Sequence, residues 1–239
     1  MRKNIVICCM LMSLLLVSCN KCSDKEKYYE QISKEVEQGE RNASEFSKIF
    51  DAKSAILATY NSKELTKTAL QIYRHIVHPT FKQDTIRLNV AIEFLNKALA
   101  LDTLNREAFQ IKFNIQTSLH LWDKSLNTIN QWLKKGKPNY KDYMLKGFVY
   151  EKTDSTDKSL KSFRKALLYF NWTEATNKNI EVRLQKVIIV TFLYGKEKGL
   201  AEIESIIKET GNNHAISFKE NAIKDFDKKR FIDQFVFEK

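Results

Sequence analysis

Four cysteines and four histidines are the side chains of this 239-residue chain best suited to hold a metal or act as a nucleophile or base. Their spacing limits what each can do. Cys19-Asn20-Lys21-Cys22 has the two-residue gap of a redox or metal-binding pair. Cys8 and Cys9 are neighbours inside an apolar run. His75 and His78 lie three apart, as two ligands on one helix face would, but no third ligand is near, and Pro79 makes the pair read as a helix end. His120 sits between Leu119 and Leu121-Trp122, a packing or capping position, and His214 stands apart. There is no Gly-rich phosphate loop, no nucleophile elbow, no zinc-type His/Glu motif and no metal-spaced acidic cluster. The expectation is a protein that is not an enzyme and needs no cofactor or metal.

The N-terminus carries the clearest chemical signal. Arg2 and Lys3 precede an apolar run, Ile5 to Val17, that is short for a membrane span. The run closes in Leu16-Val17-Ser18-Cys19, which resembles the lipobox of bacterial lipoproteins. That resemblance implies a signal peptide over residues 1–18, a diacylglycerol on the sulfur of Cys19 and, after cleavage, Cys19 as the new N-terminus. A thioether can serve neither redox nor metal chemistry, so Cys22 would remain as an incidental thiol. Acyl chains contribute about 0.8 kcal/mol per buried methylene, and several chains such as palmitate on one cysteine hold a protein at a membrane. Asn20 to Lys27 (the 19–27 segment) reads as a polar tether. Its Ser23-Asp24-Lys25-Glu26 resembles only loosely the acidic export signal of surface lipoproteins in the Bacteroidota, because lysines interrupt the acids. The expected address is the outer membrane or cell envelope, lipid-anchored, with the periplasmic face favoured over the cell surface.

That address also reinterprets the charge. Without Arg2 and Lys3, 38 of the 40 basic residues remain against 29 acidic ones, a net charge of +9. Such a balance would suit nucleic acid in the cytosol, but at the envelope no nucleic acid is expected. Phospholipid head groups, acidic glycans or an acidic protein face are the available anions, and a lysine-rich solvated surface needs none of them.

With six Gly and two Pro among 43% apolar residues, the elements behind these signals must be helices. Three series fall on one 34-residue period: Ala91, Ser125 and Ser159; Leu95, Ile129 and Phe163; Ala98, Trp132 and Ala166. A period of this length marks a helix–turn–helix unit that buries its apolar face only by stacking on a neighbour. Tyr143, Gly147, Tyr150, Ser159, Phe163 and Ala166, and the ending Leu101-Asp102-Thr103-Leu104-Asn105, resemble the tetratricopeptide (TPR) repeat. The expected fold is therefore all-α, a TPR-like α-solenoid of antiparallel helix pairs over residues 28–239. Its clearest repeats span 72–171, and a capping helix runs from Ala215 to Phe231. Other helices are expected at Tyr28–Val36, Ser44–Tyr60, Lys63–Val77, Ile86–Leu101, Arg106–Leu121, Lys124–Lys134, Ile180–Leu193 and Leu200–Lys208. Gly147 should let its helix approach the next one closely.

The resemblance implies a protein or peptide partner bound in the groove lined by the first (A) helix of each pair. On the 34-residue phase that face presents Gln110, Asn114 and Thr117, then Lys141, Met144, Phe148 and Lys152. Met144 and Phe148 could equally be core. Of the positions with which TPR domains clamp a C-terminal carboxylate, only Lys141 matches, so that mode is not expected. Two functions remain in view: a membrane-tethered adaptor, and an immunity lipoprotein that neutralises a secreted toxin. A third, a glycan-binding accessory, would need exposed tryptophans, whereas Trp122, Trp132 and Trp172 read as core or helix-end positions.

Overall fold

The computed structural model describes residues 44, 46–74, 82–174 and 178–233. The signal pattern, Cys19, the tether, the expected Tyr28–Val36 helix and the His75-His78-Pro79 corner lie outside these residues. The chain divides into two compact units, Met1–Ala52 and Lys53–Lys239. In the first, residues 46–51 are helical, and the rings of Phe46 and Phe50 meet at 5.9 Å one turn apart. All remaining structure described here belongs to the second.

That unit contains α1 (Lys53–Thr59), α2 (Ser62–Arg74), α3 (Lys82–Leu101), α4 (Arg106–Ser118), α5 (Trp122–Lys135), α6 (Tyr140–Lys152) and α7 (Thr156–Thr173). It continues with α8 (Ile180–Tyr194), α9 (Lys196–Thr210), α10 (Asn213–Phe218), a π-helical turn at Lys219–Ile223 and α11 (Lys228–Ile232). Helices pair in chain order, α2 with α3, α4 with α5, α6 with α7 and α8 with α9. The second helix of each pair then packs on the first helix of the next. This is an all-α, TPR-like solenoid.

Asparagines start the A helices. Asn61 Oδ1 accepts from the Glu64 amide at 3.0 Å, Asn105 from Ala108 at 2.9 Å, Asn139 from Lys141 at 3.0 Å and Asn179 from Glu181 at 2.8 Å. Each satisfies an amide that the first helical turn leaves without a partner. Asn105 also ties one pair to the next, its Nδ2 donating to Ser62 Oγ at 2.9 Å and to Thr66 Oγ1 at 3.0 Å.

All nine residues of the 34-residue series are buried. The period reaches the backbone as well. His120 and Asp154 end the A helices of successive pairs with φ of 55° and 53°. The Leu121 amide donates to Gln116 O at 2.8 Å, and the Ser155 amide to Tyr150 O at 2.8 Å. These left-handed turns close each A helix in the same way. Gly147 sits where expected: a Cβ there would lie 2.8 Å from the Phe163 ring.

Several boundaries differ from expectation. α3 is already helical at Lys82, before Ile86, and α9 at Lys196, before Leu200; the expected end of the first A helix at Val77 lies outside the described residues. The Ala215–Phe231 helix is not continuous. It breaks after the π turn, and Asp227 caps a new helix by accepting from the Arg230 amide at 2.8 Å. On an unbroken helix Phe226 and Phe231 would point about 140° apart. The break lets both reach Phe192, at 5.2 and 5.6 Å between centroids.

Candidate binding groove

The A-helix face is open in one place and closed in another. The open part is a cavity of about 410 Å³ between α4, α5 and α6. Phe109, Phe113, Ile129 and Trp132 give it apolar walls, and Gln110 and Asn114 stand at its edge. Both amides are exposed and make no side-chain hydrogen bond to the described residues. Amide groups free to donate and accept beside an apolar pocket can bind an extended backbone and one apolar side chain.

A buried polar knot braces one wall. Asp142 is the third residue of α6, and its carboxylate accepts from Arg106 Nη2 at 2.8 Å, the Asn139 amide at 2.8 Å and Trp132 Nε1 at 3.2 Å. Arg106 also donates to Lys137 O at 3.2 Å and lies over the Trp132 ring at 5.0 Å. Three donors, one of them a guanidinium, converge on the buried acid, so the knot positions the α4–α5 and α6–α7 pairs rather than offering a free charge. Beside the cavity Thr128 Oγ1 donates to Gln116 Oε1 at 2.7 Å, which pairs the two buried oxygens.

The seven residues expected to face a partner divide accordingly. Gln110 and Asn114 line the open cavity. Thr117 is buried, its hydroxyl donating to Asn114 O at 2.8 Å. Lys141 is exposed at the start of α6, its ammonium 5.9 Å from the Tyr140 ring centre. Met144 and Phe148 are core residues, 9% and 2% exposed, which settles their two open readings. Phe148 packs against Phe163 at 5.3 Å, Phe192 at 5.2 Å and Phe231 at 6.5 Å. Lys152 is ion-paired with Asp233 and lies over the Trp122 ring.

Phe231 and Asp233 explain this division, because α11 folds back against α6. Lys228 Nζ reaches Glu151 Oε1 at 3.3 Å, so residues at both ends of α11 engage the last turn of α6. A helix of the same chain thus occupies the part of the A-helix face that Phe148 and Lys152 would have presented. Sequence reasoning also missed Arg106, Trp132 and Asp142 as a unit. Asn139-x-x-Asp142 was a legible capping box, but nothing in the spacing of Trp132 or Arg106 joined them to it. Of the tryptophans, Trp132 is core and Trp172 is 80% exposed at the end of α7. Among the described residues no group of three or more His, Cys, Asp or Glu side chains is placed to hold a metal, and no helix is long and apolar enough to cross a membrane.

No protein-family model matches the sequence, and no curated protein matches it either. Among solved structures, the chain is similar to the crystal structure of YrrB, described as a TPR protein with an unusual peptide-binding site. The similarity covers 75% of this chain and 90% of that one, at 16% identity and a TM-score of 0.44.

Proposed function

We propose that the protein is an adaptor of the bacterial cell envelope, held at the membrane through acylated Cys19, that binds a peptide or protein segment in the cavity between α4, α5 and α6. The observation that carries the binding role is the pairing of free Gln110 and Asn114 amides with apolar walls in that cavity. The anchoring role rests on Leu16-Val17-Ser18-Cys19. The same arrangement would serve an immunity lipoprotein, whose partner is an incoming toxin rather than a resident protein.

Co-purification from solubilised membranes, beside a Gln110→Ala/Asn114→Ala double variant, tests the groove. Both side chains are exposed, so the variant should fold. The expected outcome is a stoichiometric protein lost in the variant. A partner kept in full would remove the cavity from the proposal, and no resident partner would leave the toxin-binding version. Cys19→Ala should move the protein out of the acylated membrane fraction; unchanged metabolic labelling with palmitate would end the lipoprotein reading.

A further inference from the structure

A second cavity, of about 390 Å³, lies between α5, α6 and α7. It faces a different side of α6, where Tyr143, Lys146 and Tyr150 recur at i, i+3 and i+7. Its charge is one-sided. Lys134, Lys146, Lys158, Lys161 and Lys165 line it, and no carboxylate does. None of the five forms an ion pair with a described residue. Elsewhere in this unit cations find acids: Arg106 with Asp142, Arg183 with Glu209, Lys186 with Glu202.

The tyrosines organise these lysines. The ammonium groups of Lys146 and Lys158 lie 5.7 and 5.8 Å from the centre of the Tyr150 ring, and that of Lys165 lies 5.7 Å from the Tyr143 ring. A ring face attracts a cation without neutralising it, so three positive charges are gathered in place with no counter-charge. Burial, and then the neighbouring Lys165, lower the pKa of Lys146 below that of an ordinary lysine. An anion in the cavity would offset both effects. The Asn130 amide adds a neutral donor at the wall.

We propose that this cavity binds a small anion carrying two or more phosphate groups. Lysine ammoniums grip phosphate as point charges, the volume suits a small molecule or a single head group, and five cations exceed what one phosphate requires. The source is either a soluble phosphorylated compound or the head group of an anionic lipid, which share this chemistry. The inference is independent of the groove between α4, α5 and α6.

Calorimetric titration of the full chain in detergent with inorganic pyrophosphate is the test. Saturable binding at one site is expected, weakened at least about tenfold in Lys146→Gln/Lys165→Gln. Lys135→Gln/Arg164→Gln, which removes two charges from the same two flanking helices outside the cavity, should stay within about twofold of the parent. If the first variant fails to fold, Lys158→Gln/Lys161→Gln changes only exposed side chains of α7 and should show the same loss. Absence of saturable pyrophosphate binding overturns the site, as does an equal loss in the Lys135/Arg164 variant. Vesicles of phosphatidic acid and of phosphatidylcholine then separate the sources. Excess binding to the former that pyrophosphate displaces assigns a lipid head group, and equal binding to both assigns a soluble ligand.

Discussion

The α4–α5 and α6–α7 pairs share a period and a turn, yet fill their seams in opposite ways. In α4–α5 the A helix brings Phe113 and the B helix Ile129, within one buried cluster. One period on, the A helix brings Gly147 and the B helix Phe163, in contact. Phe against Ile has become Gly against Phe. The pairs also differ on their A faces, where α4 borders an open cavity and α6 lies under α11. A repeat fixes spacing and the volume to be filled; it does not fix which helix supplies that volume, nor what covers the outer face.

The largest effect should come from emptying the two seams. Phe163→Ala should cost about 3–5 kcal/mol and Ile129→Ala about 2 kcal/mol, by urea denaturation. The reverse order would contradict the division of volume drawn here. Gly147→Phe should overpack α6–α7 by about 1–3 kcal/mol. Adding Phe163→Ile recreates the α4–α5 arrangement, and a double-mutant cycle should show favourable coupling of about 1–2 kcal/mol. Additive costs would mean that the two positions do not share one space.

The covered face can be opened selectively. Phe231→Ala should cost less than about 3 kcal/mol, because α11 can detach by local opening while the solenoid stays folded. Hydrogen exchange should quicken in residues 228–232 and hold steady in 106–135. Loss of protection throughout would instead make α11 part of the folding core. The smallest contrast concerns two serines one period apart. Ser125 Oγ donates to Trp122 O at 2.8 Å, whereas Ser159 Oγ is buried with no partner. Ser125→Ala should lower stability by about 0.5–1.5 kcal/mol, and Ser159→Ala should leave it unchanged or raise it slightly. Thermal melts of the pair decide it.

What could be read from the chain beforehand follows the same division. The all-helical fold, the nine buried positions, the Gly147 approach and the Asn61 cap are local or periodic, and periodic signals survive in a single sequence. The return of α11 onto α6 is neither, for it joins Phe231 to Phe148 and Asp233 to Lys152 across some 80 residues. Lysine and phenylalanine at α6 therefore looked like a partner surface when their partner was the same chain. Asp142 went unremarked for a related reason. Its role as a helix cap shows in Asn139-x-x-Asp142, while its tie to Arg106 crosses from one pair to the next.

The asparagine caps have a consequence for how such a chain can grow. Asn105 and Asn139 stand one period apart, and each opens an A helix with a side-chain cap. A segment copied from one asparagine to the next would carry an A helix together with its own B helix, leaving Phe113 opposite Ile129. A segment copied between the left-handed turns at His120 and Asp154 would instead set Gly147 against Ile129, without the Phe163 ring that fills its space, and leave a void. Gain or loss of length in this protein is therefore tolerated in whole pairs, as at the asparagines, and penalised where a junction parts an A helix from its own B helix.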